Sequence, residues 1–401
     1  MSTNTRQSHL ASERGAVIVQ VAIALVGLMA MSAFVIDYGV LWAARRQAQN
    51  AADAAALAGA ISLAYVDFEN QGLARQSALD VAGLNNVWGE APSVTPADVT
   101  FPACPPGAPG AGTPSCVRVD LFRNQARGNP LPTFFGQLAG VMDQGVRATA
   151  TAEALFGDST NCVKPFAIPD RWTEVRNDVA PAGWSEDDHF ERYDKKGNLL
   201  VGPVDSYGPG DGFTPDSVGL GGGDYGRLIV LKSGGPNDAI APGWYHPVVL
   251  SCVGGACYNA AIAGCNQRVI GPGTVLDVEP GNMVGPTKHG MQELIDKDPD
   301  AVWDTTLNEG RGGIKGGCMQ AGTCDISPRV VAVPVYDPDA YDVGRASGRI
   351  EIHVTKVVGF FVNKMLKGEV NGYVMTYPSA PQAGMGGVPG NNFVVSVALV
   401  R

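Results

Sequence analysis

Eight cysteines have the clearest chemical potential in this chain: Cys104, Cys116, Cys162, Cys252, Cys257, Cys265, Cys318 and Cys324. Their even number and close spacing are typical of disulfide bonds formed in an oxidising compartment. Cys104 with Cys116, and Cys318 with Cys324, each bracket a short loop, so we predict a local disulfide at each. The other four can pair in three ways. The Cys252-x₄-Cys257 spacing also fits half of a structural zinc site, but no second such pair follows. We therefore predict disulfides and no metal.

Aspartates form a second group that could do chemistry. Asp205, Asp211, Asp216 and Asp224 lie in a glycine-rich stretch, with Asp187, Asp188 and Asp194 upstream. Oxygen ligands on a flexible loop suit calcium, although the spacing of an EF-hand loop is missing. Aspartate is also common in turns because its side chain accepts hydrogen bonds from nearby backbone amides. Turn chemistry is the preferred interpretation, and calcium binding stays open.

Histidine and glycine motifs give little support for catalysis. The five histidines are His9, His189, His246, His289 and His353, and none lies in an H-E-x-x-H or beside a G-x-S-x-G sequence. The glycine-rich stretch 219–226 lacks the Lys-Ser/Thr that a phosphate-binding loop needs. We predict no catalytic residue, no cofactor and no enzymatic activity.

Composition indicates which elements position these residues. The chain is 45% apolar and 17% charged, with 52 glycines and 28 prolines, which is typical of a turn-rich β structure. The net charge of −10 argues against nucleic acid and against electrostatic binding to an anionic bilayer.

A long apolar stretch begins close to the N-terminus. Between Arg14 and Asp37 lie 22 uncharged residues, enough for a helix to cross a bilayer core of about 30 Å. A cleavable signal peptide has a shorter apolar core of roughly 7–15 residues followed by a small-x-small site, for which 30–32 is a weak candidate. We expect an uncleaved transmembrane helix. Basic residues at its two ends are nearly balanced, so orientation follows from the cysteines, which all lie beyond the span and indicate the outside.

An alanine-rich segment follows the apolar stretch. Residues 43–60 contain ten alanines. Spacings of three and four place five of them on one helical face: Ala44, Ala48, Ala51, Ala55 and Ala58. Small residues on one face let another helix approach closely, which favours a helix-packing role. A plain stalk is the alternative, because alanine is the best helix former.

These two segments together resemble a known family. The sequence RGAVIVQVAIAL, followed by VIDYG and by RRQAQNAADAAALAGA, resembles the N-terminal segment of Flp/Tad pilus-assembly TadG-like proteins. Residues 49–60 are the most specific part. The resemblance covers about 50 residues and implies a bacterial envelope protein of the tight-adherence pilus system.

Two other features of pilus proteins match only in part. Prepilins are cleaved after a glycine five residues before a glutamate, and here Gly15 is followed by Gln20. An amide pairs with a neighbouring amino terminus more weakly than a carboxylate does, so we expect no cleavage. Some TadG-like proteins carry a von Willebrand A-type domain, but the segment from Asp325 to Arg329 lacks the second serine of its metal motif.

The expected fold is α+β, in which a transmembrane helix continues into an alanine-rich helix before a small α+β unit and a mostly antiparallel β-rich domain. The expected segments are a cytoplasmic tail (1–14), the span (15–36), the alanine-rich helix (37–65), the small unit (66–157) and the β-rich exported domain (158–401). In the small unit we expect helices near 70–85 and 133–141. The last strand, 393–400, is expected to complete the sheet of the large domain.

The resemblance implies a function without chemistry. We expect a single-pass inner-membrane protein, exposed to the periplasm or the cell surface, that contacts other Tad/Flp components during pilus assembly or adhesion. One alternative is an anchored envelope hydrolase or carbohydrate-binding module that shares only the N-terminal segment. Another is a surface sensor that needs divalent cations.

Overall fold

A computed structural model describes residues 8–65, 71–176, 184–208, 210–215, 223–235, 238–380, 385 and 392–400. Its helical share of 31% and strand share of 29% confirm the α+β class. The helices are α1 (Ser8–Tyr65), α2 (Gln71–Leu84), α3 (Gly255–Ala263), α4 (Val284–Lys297), α5 (Gly317–Gln320) and α6 (Pro338–Ala346).

Sixteen strands accompany these helices in the described part of the chain. They are β1 (Val99–Thr100), β2 (Cys116–Arg123), β3 (Leu131–Pro132), β4 (Asp143–Gln144), β5 (Val146–Gly157), β6 (Phe166–Pro169), β7 (Leu228–Ser233), β8 (Trp244–Pro247), β9 (Val275–Asp277), β10 (Val302–Asp304), β11 (Gly313–Lys315), β12 (Val330–Tyr336), β13 (Glu351–Leu366), β14 (Glu369–Met375), β15 (Tyr377–Pro378) and β16 (Val394–Val400).

Helix α1 is one uninterrupted element of 58 residues, about 87 Å long at 1.5 Å per residue. Residues 8–65 contain no proline, so every turn after the first can keep its backbone hydrogen bonds. Apolar residues predominate from 15 to 36, and alanine is the commonest residue from 43 to 60. The helix therefore continues directly from the apolar stretch into the alanine-rich segment.

The second half of α1 belongs to a small unit built on a five-stranded sheet with the order β1-β2-β5-β16-β15. Strands β2, β5 and β16 pair antiparallel. Alternate alanines of β5 turn toward the helix and are buried with the helix alanines: Ala148, Ala150, Ala152 and Ala154. Small side chains on both surfaces let helix and sheet approach closely.

Strand β16 differs from the sequence expectation. It pairs with β5 of the small unit along its whole length, from Val394 with Gly157 to Val400 with Thr151. The end of the chain thus returns to the first sheet instead of completing the large one. The small unit is consequently built from two distant stretches of sequence.

The larger unit is a closed, barrel-like sheet. Its strands follow the order β12-β6-β8-β7-β14-β13, and β12 pairs with β13 to close the ring, while β9 extends from β13. Most pairings are antiparallel, but β6 with β12 and β7 with β8 are parallel. The interior is filled by aromatic and β-branched residues such as Phe166, Val333 and Phe360. Helices α3 and α4 add Ile262 and Met291 to this core.

Candidate functional site on the N-terminal helix

Residues 17–36, in the first half of α1, have no packing partner within the described chain. Its large apolar side chains are exposed, among them Ile18, Leu25 and Phe34. The helix meets the length and composition needed to cross a membrane, with a mean hydropathy of 2.4 in its most apolar window, none of which is buried. We refer to residues 15–36 as the span. A bilayer core is an apolar solvent that suits an exposed apolar helix of this length.

The second half of α1 packs against its own chain. Of the five alanines singled out from the sequence, Ala44, Ala48, Ala51 and Ala55 are buried, and Ala58 is partly buried. Their neighbours are β5, α2 and β2. In the structure, the packing partner of this face is therefore the small unit of the same chain. The sequence analysis expected a helix against this face, and the structure places both a helix, α2, and a sheet there.

Three further alanines of α1 are equally buried and were not identified from the sequence: Ala52, Ala56 and Ala60. They form a second row beside the first, and together the seven fully buried alanines make the alanine face. The sequence signal was the pairing of small residues at 51-52, 55-56 and 59-60. Such pairs make the face of small residues wider than contact with a single helix needs. A wide face of small residues fits a sheet better than one helix.

Gly59 marks the closest approach on this face. A Cβ atom added there would lie 2.8 Å from Cγ1 of Val117 and 3.2 Å from the carbonyl oxygen of Ala74. At position 59, strand β2 and helix α2 therefore approach α1 so closely that only the hydrogen atom of glycine fits as a side chain. Helix α2 runs antiparallel to α1, since the backbone N–H of Trp88, just beyond its end, donates to Oε1 of Gln47 at 2.7 Å.

Asp37, the first charged residue after the span, ties α1 to a distant loop. Its Oδ1 accepts the backbone N–H of Phe134 at 2.7 Å, and its Oδ2 accepts those of Phe135 at 3.0 Å and Gly136 at 2.6 Å. Partial desolvation alone would raise the pKa of Asp37, but the three amide hydrogen bonds outweigh it, and the pKa lies below its ordinary value. Sequence reasoning used Asp37 only as the end of the span.

The loop bound by Asp37 is residues 133–142, which we call the hairpin tip because it joins the paired strands β3 and β4. The sequence predicted a helix here. The structure has only a short 3₁₀ turn at Gly136–Ala139, ended by Gly140 with a φ of 80°. A left-handed glycine after four residues stops the turn before an α-helix can develop.

All eight cysteines lie in pairs at disulfide-bonding distance. The pairs are Cys104–Cys116, Cys162–Cys265, Cys252–Cys257 and Cys318–Cys324, with Cα–Cα distances of 5.2, 4.2, 6.0 and 5.3 Å. Cys162–Cys265 joins segments 103 residues apart, whereas the other three close local loops.

One group of potential metal ligands occurs in the described residues, formed by Cys104, Cys116 and Glu153. Both sulfurs are in a disulfide, so neither is the thiolate that a metal needs. Glu153 accepts the backbone N–H of Gly110 at 2.7 Å, and burial raises its pKa. This carboxylate stabilises the loop between the two cysteines.

The aspartates considered for calcium bind protein groups. Asp205 accepts the backbone N–H groups of Val175 and Arg176 at 2.9 Å each, and Asp194 accepts that of Asn198 at 2.9 Å. Other members behave alike: Asp188 accepts from Ser185, Asp211 from Gly208 and Thr173, and Asp224 from Thr214, Arg171 and Arg227. Asp216 lies outside the described residues, and Asp187 is exposed.

Two buried titratable groups of the large unit likewise have partners within the protein. Asp170 accepts the hydroxyl of Tyr207 at 2.8 Å and the amide of Phe213 at 2.7 Å, and its Oδ2 lies 3.2 Å from Nζ of Lys356. His246 is buried and stacks on Tyr341, with ring centroids 4.6 Å apart. Desolvation lowers the pKa of His246 to about 4, so it is neutral at ordinary pH.

The geometry defines a class of protein: an α+β module with a helix long and apolar enough to span a membrane, braced by a sheet that buries the continuation of that helix. Residues 15–62 match the family described as "Putative Flp pilus-assembly TadE/G-like". The match covers the span and the alanine face, which confirms the resemblance to TadG-like proteins. No curated protein and no solved structure matches the chain.

Proposed function

We propose that this protein is a membrane-anchored component of a Tad/Flp-type pilus system that acts by protein contact and without catalysis. The family match supports a pilus-related role. The anchor, the type of contact and the lack of chemistry are our inference from the structure. Other Tad/Flp components and the inner membrane are the proposed partners.

The observation that carries this proposal is the change of environment within one helix. The matched residues 15–62 include an apolar part that is exposed and an alanine-rich part that is buried against the small unit. A continuous helix transmits position and orientation from one half to the other, because sharp kinks arise at interruptions such as proline and residues 8–65 contain no proline. The span would thus hold the folded unit at a fixed height above a membrane.

The disulfides support placing the folded units outside the cytoplasm. Four cysteine pairs at bonding distance lie beyond the span, and structural disulfides persist in oxidising compartments. We therefore propose that the N-terminus is cytoplasmic and that residues 37–401 are periplasmic or surface-exposed. A membrane-impermeant maleimide applied to cells with a permeable outer membrane should label an Asn50→Cys protein without inner-membrane lysis. Labelling only after lysis would contradict this orientation.

The test of the pilus role is deletion of the gene in its host, with complementation by the wild type. We expect loss of surface pili and of adhesion, both restored by the wild-type copy. A second complementing copy carries the span exchanged for an unrelated transmembrane helix of equal length. It separates simple anchoring, which either helix supplies, from specific contacts made by the span. Unchanged pili and adhesion in the deletion strain would refute the proposal.

A further inference from the structure

The hairpin tip presents apolar side chains to solvent. Leu138 is 89% exposed, Met142 is 66% exposed and Phe134 is 55% exposed, and Phe135 and Val141 are exposed beside them. No charged residue occurs from Gly128 to Met142. A contiguous exposed apolar patch on a folded unit is typical of an interaction surface, because burial of such a patch is favourable.

The tip is held in this shape by its own contacts. The Thr133 hydroxyl donates to the carbonyl of Val141 at 2.7 Å, and the Val141 N–H donates to the carbonyl of Gly136 at 2.9 Å. Below the tip, Leu131 is buried in the core shared with the alanine face. The apolar side chains therefore project from a braced hairpin.

Asp37 determines where this patch lies along α1. Its three hydrogen bonds to backbone amides of the tip place the patch beside the first charged residue after the span. The span of 22 residues is about 33 Å long, close to the roughly 30 Å thickness of a bilayer core. When the span crosses a bilayer, Asp37 and the tip consequently lie at the boundary between acyl chains and headgroups.

The helix surface at this level also suits a membrane interface. Tyr38 and Trp42 are exposed one and five residues after Asp37, and the Arg46 guanidinium lies 4.3 Å from the Trp42 ring centroid. Tyrosine and tryptophan are enriched where acyl chains meet headgroups, and basic side chains reach toward lipid phosphates.

We propose that the hairpin tip is a second membrane contact, which inserts its apolar side chains into the phospholipid leaflet from which α1 emerges. The attraction is hydrophobic, so it does not conflict with the acidic net charge of the chain. Two attachment points fix the tilt and rotation of the small unit, whereas one helix alone leaves rotation free. The inference requires that α1 spans a bilayer, and it does not depend on the pilus role.

The test uses full-length protein in phospholipid nanodiscs, with one copy per disc. All eight native cysteines are paired, so a cysteine introduced at Leu138→Cys can be labelled selectively with an environment-sensitive fluorophore. Leu84→Cys is the matched control: Leu84 is 81% exposed and lies at the end of α2, near the level of Gln47 and about 15 Å farther from the span than Asp37. Met142→Cys provides a second position in the tip if the first variant does not fold.

Two quenchers then report the position of each label. We expect the tip label to be quenched by lipids with a nitroxide near the headgroup, and to be several-fold less accessible to aqueous iodide than the label at position 84. Equal iodide accessibility at both positions in inserted protein would overturn the second contact alone. A tip label shielded from iodide but not quenched by lipid would also overturn it and would indicate a protein occupant. Protein that fails to insert into the discs would overturn the anchor as well.

Discussion

The two halves of α1 show how side-chain size selects the environment of a helix. No break separates the two halves, but the second half carries charged residues beside its alanine face, among them Arg45, Arg46 and Asp53. The span carries large residues such as Ile18, Leu25 and Met31, which cover the helix on every side and are exposed within the described part of the chain. The alanine face carries side chains so small that the helix backbone comes close to the sheet. Hydropathy identifies the span, and side-chain size explains why the alanine face packs against a sheet.

This difference explains why the span does not pack against the folded unit of its own chain. A span of large residues cannot sit at the distance that the alanines of β5 require, because interiors are packed without space for extra methylenes. Alanine in turn gains little from exposure to lipid. Each half therefore has one suitable environment, and four predictions test this separation.

The largest expected effect follows from a charge in the middle of the span. Val26→Arg should remove most of the protein from the membrane fraction, because arginine at a helix centre costs about 2.5–3.5 kcal/mol on insertion scales. Asn50→Arg places the same side chain at an exposed position of the second half, and its membrane fraction should equal that of the wild type. Membrane fractionation with immunoblotting gives the comparison, and equal losses in the two variants would show that the halves do not differ.

A large residue on the alanine face should have the next largest effect. Ala55→Leu adds three carbon atoms at a fully buried position and should lower the free energy of unfolding by about 1–3 kcal/mol. Asn50→Leu introduces the same side chain at an exposed position and should change it by less than about 0.5 kcal/mol. Denaturant unfolding of the full-length protein in detergent measures both values. A stable Ala55→Leu protein would argue against the close helix–sheet contact.

The link between the halves is tested at Asp37. Asp37→Asn leaves a single neutral acceptor oxygen for three amides, so hydrogen exchange at Phe135 and Gly136 should accelerate several-fold. Asp53→Asn is the control on the same helix, since Asp53 accepts a hydrogen bond from Gln49 and does not contact the tip. Unchanged exchange in the Asp37 variant would mean that the tip is held by its own contacts alone.

The smallest expected effect is a response to acid at the same contact. The pKa of Asp37 is below its ordinary value of 3.8, so the folded state binds fewer protons than the unfolded state between the two values. The contact therefore stabilises the protein above pH 3.8 and is lost as the pH falls through the lowered pKa. Fluorescence of a label at position 138 should be constant from pH 7 to 5 and change only below pH 3.8. In the Asp37→Asn background this transition should be missing, and a persistent transition would assign it to another group.

The cysteines and aspartates show how far local sequence can predict a site. The presence of disulfides followed from the number and spacing of cysteines, because short brackets such as Cys318 and Cys324 can close without the rest of the fold. The Cys162–Cys265 pair spans 103 residues, so its two partners are brought together by tertiary structure and not by local sequence. Aspartates such as Asp205 likewise show their role only when the amides they bind are in place.

The strand β16 shows a limit of another kind. Its β-branched residues predicted a strand, but alternation of side chains does not specify a neighbour. The neighbour is β5, whose alanines leave room for α1 on the same sheet. From the sequence alone, the last strand is assigned to the large unit, which precedes it directly in the chain. Its return to the small unit is decided by the tertiary fold.

The sequence by itself determined the elements whose signal is local. The length and apolarity of the span, the helical continuation into the alanines, the α+β class and the resemblance to TadE/G-like proteins all depend on residues close together in the chain. The tertiary structure decided which surface covers the alanine face, how the large sheet closes, and that Asp37 holds a loop 97 residues away. These contacts join distant segments, and their free energy depends on positions that only the packed chain supplies.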